Sequence, residues 1–385
     1  MTKTSKRIAI IGGGPGGLTL VLILQKNGIQ PIVYERVASA EDANRGGSLD
    51  IHEESGQWAL KEAGLLEAFQ EIARYEGEDF RLFDKHGNVY MDEVAGEEEE
   101  GSRPEIDRGV LVDLLLNSLE PGCIRYGHKL VQAVPLPDGT HELLFENGLK
   151  DTVDLVVGAD GAFSRIRPLL TDAVAEYTGL SMIELQVNAE EHPDLAAFNA
   201  RGKMFGLGDR KAILGQLNGD GFIKVYASFK ADQAWLDDCG IPFDRPDEAK
   251  HALLSHFEDW DEPLQNYIRY ATDTIVPRRI YMLPVGLRWD SNPGVTLVGD
   301  AAHLMSPFAG EGVNLAMRDA AELALSLVKH EDQATAIQAY EAKMYAYSSE
   351  SARSSDDNLK LIFSDNASAK LKELFDKLHE EQPIH

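Results

Sequence analysis

The thirty residues RIAIIGGGPGGLTLVLILQKNGIQPIVYER, Arg7 to Arg36, constrain the fold more than any other stretch of this 385-residue chain. Ile8 to Ile11 read as a buried strand and the glycine cluster as a turn. The apolar run that follows reads as a helix reaching about Asn27 and stopped by Gly28, and Pro31 to Tyr34 as a second strand ending on Glu35. Strand, helix and strand in that order make a βαβ unit, which needs a parallel sheet with helices packed on it. Gly12, Gly14 and Gly17 stand in G-x-G-x-x-G spacing at the turn, with Pro15 among them, and Glu35 follows Gly17 by eighteen residues. Such glycines permit a tight turn and let backbone approach a pyrophosphate at a helix N-terminus, while the acid can bond ribose hydroxyls. The expectation is a dinucleotide site, against the plainer reading of a glycine turn that serves packing alone.

Two later stretches again end an apolar strand on small and polar residues. DLVVGADGAFSRIR runs to Gly158 and continues with Asp160, Gly161, Ser164 and Arg167. Alone it would read as an ordinary strand-to-helix cap. LVGDAAHLMSPFAGEGVN ends a strand on Gly299 and Asp300, and its second half leads into a helix whose N-terminal amides favour negative charge in front of them. Asp300 there can accept a hydrogen bond from a ligand hydroxyl. With Arg108 in EIDR, the chain carries dinucleotide-directed residues at several separated places, and their joint presence is more specific than any one.

Charge narrows the partners. Lys and Arg number 37 against 64 Asp and Glu, a net charge of -27, so nucleic acid and anionic membranes would be repelled over most of the exterior. An anionic cofactor would therefore need a pocket of backbone donors or locally placed cations. Cys123 and Cys239 are too few for a disulfide framework or a cysteine metal site, and no metal is expected. The glycines and proline in the first apolar run spoil a secretion signal, so a cytoplasmic protein is expected, and no stretch resembles a membrane span.

The remaining chain divides by texture. SGQWALKEAGLLEAFQEIAR reads as one helix capped by Ser55, and DFRLFDKHGNVYM as a hairpin about His86, Gly87 and Asn88. The run EVAGEEEEGSRPE reads as a solvated acidic loop. From about Thr171 to Asp273, strands such as FIKVYASFK and the helical DEAKHALLSHFEDW suggest a second domain inserted in the first. The expected division assigns 1–75, 101–172 and 276–330 to the first domain. Residues 76–100 form an excursion and 173–275 the body of the second domain, and 331–385 a C-terminal helical segment. Helices are expected over about 315–329 and 333–379.

Taken together, GGGPGG with VYER, GADGAFSRIR and GDAAHLMSPFAGEGVN resemble the class A FAD-dependent monooxygenases of the aromatic-hydroxylase type, over about residues 6–330. GGSLDIHEESGQWALKEAGLL and PEIDR look most like the tetracycline-inactivating members. The resemblance implies an α/β fold, with a Rossmann-type FAD-binding domain built on a parallel sheet, an inserted mixed β-sheet substrate domain and a C-terminal bridging helix. It implies that Gly12, Gly14, Pro15 and Gly17 cradle the FAD diphosphate, Glu35 holds the adenosine ribose, and Arg36 lies by the adenine. It puts Arg108 near the diphosphate or ribityl chain, Asp50 by the flavin, Asp300 on the ribityl chain, and Asp160 near both FAD and NAD(P)H. Pro307, Phe308 and Gly310 would line the flavin and its substrate face, and the helix from Gly312 and Val313 would point its N-terminus at the flavin's pyrimidine edge. The implied reaction uses NADPH, with NADH not excluded, and O2; a C4a-hydroperoxyflavin hydroxylates an aromatic or polycyclic molecule, with a tetracycline-like compound among the candidates. No protein nucleophile is required, and His303 reads as structural or flavin-adjacent.

The chain departs from the tetracycline-inactivating pattern where substrate would bind. The glutamine, histidine and glycine of that pattern fall at Glu184, Lys224 and Tyr226, and only its arginine agrees, at Arg210. A new carboxylate, ammonium and phenol imply a ligand of different shape or charge. Each of these residues also has a plain reading as a surface or sheet residue. The arginine that the pattern directs to NADPH falls at Ala43, with Arg45 as a substitute nearby. Competing readings are a flavin oxidase or dehydrogenase on the same scaffold and a binding module without redox work. A flavin halogenase is disfavoured because Trp58, Trp235, Trp260 and Trp289 are isolated and form no Trp-x-Trp-x-Ile-Pro. A monomer is expected.

Overall fold

The structure is a computed structural model that describes residues 6–42, 46–75, 77, 79–94 and 103–381. Arg45 and the acidic run Glu97 to Glu100 lie outside the described residues. The chain forms two compact units, one of residues 1–73, 108–176 and 281–355, the other of 74–107, 177–280 and 356–385.

The first unit is built on five parallel strands: β1 (Ile8–Ile11), β2 (Ile32–Tyr34), β7 (Ile124–Arg125), β11 (Leu155–Gly158) and β17 (Val295–Leu297), in the order β17-β11-β1-β2-β7. Ile11 stands in register with Gly158, and Gly158 with Leu297. The three glycine-bearing stretches of the sequence therefore leave the sheet side by side at its C-terminal edge, where open α/β sheets bind ligands. Helix α1 (Pro15–Lys26) buries every residue from Gly16 to Gln25, which explains its apolar character all round. It packs on α10 (Gly312–Lys329) so closely that a Cβ on Gly16 would lie 2.9 Å from the Ala316 carbonyl oxygen. Because Gly16 and Ala316 sit in or next to the first turns, the amino ends of both helices lie together.

This unit also holds β3 (Ser48–Asp50), α2 (Trp58–Ala63), α3 (Leu66–Gln70), α4 (Arg108–Asn117), α9 (Asp300–His303) and α11 (Gln333–Ile362) as far as Ser355. A three-stranded antiparallel sheet joins β8 (Leu130–Pro135), β9 (His141–Phe145) and β10 (Lys150–Val153). The single helix expected after Ser55 is instead a π-type turn over Glu53–Gln57 followed by α2 and α3. Gly64 at φ +80° ends α2, and Ser55 is buried rather than a cap.

The second unit carries a seven-stranded mixed sheet in the order β16-β12-β15-β14-β13-β4-β5. Its strands are β4 (Phe80–Asp84), β5 (Val89–Glu93), β12 (Glu176–Asn188), β13 (Lys203–Gly208), β14 (Lys211–Leu217), β15 (Phe222–Lys230) and β16 (Val276–Met282), with β6 (Glu105–Asp107) outside it. The expected hairpin at His86–Asn88 joins β4 to β5. Ile183, Leu185, Val187, Ile213, Ile223 and Val225 pack with Leu253, Phe257, Leu264 and Tyr267 in one core. Helices α5 (Pro193–Asn199), α6 (Trp235–Asp238), α7 (Pro246–Ser255) and α8 (Glu262–Arg269) thus occupy one face of the sheet. Strand alternation sends Glu184, Gln186, Lys224 and Tyr226 to the other face. There α12 (Ala367–Glu381) packs on β13, β4 and β5. The helix expected over 333–379 is interrupted at Asn366, whose φ of +56° is left-handed, and α10 begins at Gly312, before the expected 315. Among the described residues no helix is long and apolar enough to cross a membrane.

Gly17 is fixed by contact: a Cβ there would lie 2.2 Å from the Gly12 carbonyl oxygen. Gly14, at φ -77° and facing open space, has no such constraint. Gly17→Ala is expected to destabilise the protein by about 1–3 kcal/mol, and Gly14→Ala by less than about 1 kcal/mol. Urea denaturation of the two variants measures the contrast; equal midpoints would mean the turn relaxes around Gly17.

Candidate functional site

The site at the sheet edge begins with the backbone. Gly12 takes φ +112°, and a Cβ on it would strike the Ala159 carbonyl oxygen at 2.3 Å, so the β1 and β11 ends touch only because the residue is glycine. Gly14 caps α1 with no side-chain bond, and Pro15 occupies the first turn, where its missing N–H costs nothing. The Glu35 carboxylate accepts the Gly13 amide at 2.7 Å and the Val37 amide at 3.1 Å, which holds the acid against the glycine turn. Arg36, the next residue, is exposed.

Asp160 follows β11. Its Oδ2 accepts the Arg165 amide at 2.6 Å, while its Oδ1 is buried and meets no donor among the described residues. Burial pushes this carboxyl above its ordinary range, against the neighbouring Ser164 hydroxyl, the backbone donors and Arg167. Arg167, itself buried, donates from Nε to the Ala301 carbonyl at 2.8 Å and from Nη2 to that of Ala162 at 2.6 Å, stitching the 160s loop to the start of α9.

Asp300 opens α9 after Gly299, whose φ is +61°. Its side chain is exposed although protein surrounds it, and the enclosure raises its pKa against the opposing pull of His303, Arg108 and Arg167. Solvent access tempers that rise. Arg108 begins α4 and packs its Cδ 3.1 Å from where a Cβ on Gly46 would stand. The structure thus brings Asp160, Asp300 and Arg108 to the same edge of the sheet as Gly12 and Gly14.

Beneath Asp300 lies a group the sequence reading passed over. Asp319, fully buried on α10, accepts the Gly299 amide at 2.7 Å, His303 Nε2 at 2.6 Å and the Tyr347 hydroxyl at 2.5 Å. Burial alone would lower the His303 pKa, but the Asp319 charge and hydrogen bond outweigh it and leave the imidazole above its ordinary value. His303 thus ties the loop that carries Asp300 to α10. The available signal was a carboxylate on the same helical stripe as Leu315 and Leu323, at i, i+4 and i+8.

A second missed group sits at the α10 N-terminus. His52 is buried, with Nε2 3.4 Å from Asp50 Oδ2 and Nδ1 3.4 Å from Glu311 Oε1. Asn314 accepts the His52 amide at 2.9 Å and donates to the carbonyls of Asp50 at 2.8 Å and Gly310 at 3.2 Å. Asp50 lies so near that a Cβ on Gly310 would be 3.3 Å from its Oδ2. Pro307 is exposed, Phe308 and Gly312 are half-buried, Val313 is buried, and no side chain caps α10.

In the second unit Glu184 pairs in register with Tyr226 and lies one step from Lys224. Lys224 Nζ bonds Glu184 Oε1, and Arg278 Nε on β16 bonds Oε2 at 2.5 Å. Burial would raise the Glu184 pKa, but the two cations outweigh it and hold the carboxyl below its usual range. Glu184, Lys224 and Tyr226 are thus brought together. Arg210 is not among them: it sits at φ +59° on the exposed tip of the β13–β14 hairpin. Arg278 had no sequence signal beyond strand parity in VPRRIYM.

A protein-family model described as "FAD binding domain" matches residues 5–206 and 285–357. The chain belongs to that family, the class A flavin monooxygenases. It is 31% identical to "Monooxygenase asqM" of Emericella nidulans, over 96% of this chain and 98% of that protein. A putative FAD-containing monooxygenase of Photorhabdus luminescens superposes with a TM-score of 0.76 at 27% identity, covering 92% of this chain and 99% of that one. The tetracycline destructase Tet(51) superposes with a TM-score of 0.69, over 99% of this chain and 100% of that one; at 20% identity it shares the fold.

Asp319→Asn tests the loop anchor. The His303 pKa is raised in the folded protein, so the pair's stabilisation is complete below the ordinary value of about 6.5 and fades as pH rises through the folded value. Near pH 6 the substitution is expected to cost about 3–5 kcal/mol. The loss should shrink toward pH 9, measured as urea midpoints across that range. Parallel pH profiles for the two proteins would refute the ion pair.

Proposed function

We propose that this chain is a single-component FAD-dependent monooxygenase that takes electrons from NAD(P)H and hydroxylates an aromatic or polycyclic small molecule with O2. One observation carries the reading: Asp160 Oδ1 is buried with no donor among the described residues, at a strand end beside a glycine turn that faces open space at Gly14. A buried carboxylate oxygen without a partner is costly, and a ligand hydroxyl or amide arriving there would relieve it. The residues present fit a dinucleotide. Two helix N-termini without side-chain caps lie together and can meet a diphosphate and the electron-rich edge of a flavin.

When bound, FAD supplies the electron transfer and oxygen activation that protein side chains lack. Gly12, Gly14, Pro15 and Gly17 make the turn beside the diphosphate, with Glu35 for the adenosine ribose and Arg36 for the adenine side. Asp300 would accept a ribityl hydroxyl with Arg108 offsetting its charge, and Asp50 and the Pro307–Val313 segment would border the flavin. Asp319 and His303 hold the Asp300 loop, and Arg167 fixes the 160s loop to it. Within the second unit, Tyr226 and the Glu184–Lys224 pair would face substrate. We further take the protein to work as a monomer and in the cytoplasm, where the free thiols of Cys123 and Cys239 would stay reduced.

The test is the flavin spectrum of the purified protein during anaerobic titration with NADPH and, separately, NADH, followed by admission of O2 with an aromatic substrate. Bound flavin, bleaching by NADPH and a product heavier by one oxygen are expected. Hydrogen peroxide with no oxygenated product would make the protein an oxidase, and absence of bound flavin after reconstitution would leave a binding module. Asp160→Ala and Asp300→Ala should each weaken FAD binding by about tenfold or more, measured by fluorescence quenching.

A further inference from the structure

We propose that the face of the seven-stranded sheet opposite α5 to α8 recognises an anionic group on the ligand, a carboxylate or an ionised phenol or enol, through Arg278. This rests on the reading of the chain as a small-molecule monooxygenase, and it names the chemistry of the ligand. Neighbouring residues on β16 face opposite ways. Arg279 donates from Nε to the Gln233 carbonyl and from Nη2 to Asp237, next to and on α6, so it belongs to the helix-covered face. Arg278 belongs to the other face, with Glu184, Lys224 and Tyr226.

On that face one carboxylate meets two cations. Glu184 satisfies Lys224 with Oε1 and the Nε of Arg278 with Oε2, and its side chain is only 10% exposed. The carboxylate is saturated, so Glu184 is neither a free base nor a docking point for a cationic ligand. The cluster keeps one positive charge in a protein whose net charge is -27. Nε uses one of the five donors of a guanidinium, and the Nη1 and Nη2 groups of Arg278 bond no partner among the described residues. Its side chain is 43% exposed, against 15% for Lys224. Glu184 thus orients the fork and leaves its far edge open, the edge that pairs with a carboxylate through two parallel hydrogen bonds. Tyr226 and Leu214, in register on adjacent strands, supply an aromatic and an aliphatic surface on the same face for a flat ring.

Calorimetric titration of the FAD-loaded protein with 1-hydroxy-2-naphthoate, 2-naphthoate and anthranilate, each beside its neutral methyl ester, tests the proposal. At least one acid should bind about tenfold or more tightly than its ester. Arg278→Met should erase that ratio and Arg278→Lys retain part of it, with FAD content and melting temperature matching the parent. Esters that bind as well as acids, a ratio untouched by Arg278→Met, or no binding by any acid at millimolar concentration would overturn it. Anaerobic flavin reduction by NADPH in the same samples reports separately on the monooxygenase reading. Failure of reduction with the acid preference intact would sink that reading and leave the anion site standing.

Discussion

The parallel register of three strands, Ile11 beside Gly158 and Gly158 beside Leu297, is the constraint on which the first unit depends. It gathers segments some 150 residues apart in sequence into one edge, and it tolerates little bulk. A Cβ on Gly158 would lie 2.6 Å from Leu297 Cδ2 and 2.9 Å from Ile166 Cβ. Gly12 and Gly17 meet the same limit against backbone oxygens. The glycines are thus needed first for chain packing, and the open surface at Gly14 exists because the others let the strand ends and α1 close in around it.

From that edge inward, buried polar groups do what apolar packing cannot. A single carboxylate, Asp319, collects a backbone amide, an imidazole and a phenol, and so determines the path of the loop that carries Asp300. A carboxylate buried to this degree is tolerable only when its lone pairs are filled, which makes the arrangement all-or-none. Asn314 plays the corresponding part at the α10 end, bonding backbone on both sides of the β3 terminus. The groups that would touch a cofactor are held by a shell of residues that would not.

Much of this was legible in the sequence because it is local. The βαβ unit, the hairpin at Gly87 and the strand end at Gly158 each announce themselves by period and by glycine, while the strand expected to run to Asp300 stops at Leu297 and Asp300 opens α9 instead. What was hidden depends on tertiary neighbours. The helical period runs unbroken through Gly64, so the break there does not show in the sequence, and Ser55 reads as a cap because nothing in the sequence shows that it is buried. Asp319, His52 and Arg278 gain their roles from partners on other elements. In sequence, Glu184 reads either as a new charge toward a ligand or as an ordinary sheet residue; the structure adds that it is paired twice. Those partners come from strand pairing, which set Tyr226 across from Glu184 with Lys224 one step along, and brought Arg278 alongside.

The strong acidity of the chain then has a structural answer. A protein with 27 excess negative charges cannot hold a diphosphate by general attraction, and few basic side chains stand at the sheet edge. Arg108 and Arg167 act on Asp300 there, and Arg167 is largely taken up by backbone carbonyls. The favourable field must come from fixed dipoles: the amide ends of α1 and α10, set together by the Gly16–Ala316 contact. Such donors are prepaid by folding and are little affected by the surrounding charge, since they act at contact distance. The acidic exterior can therefore serve solubility while the cofactor edge relies on backbone, and a cation left with open donors, as Arg278 is, stands out against that background.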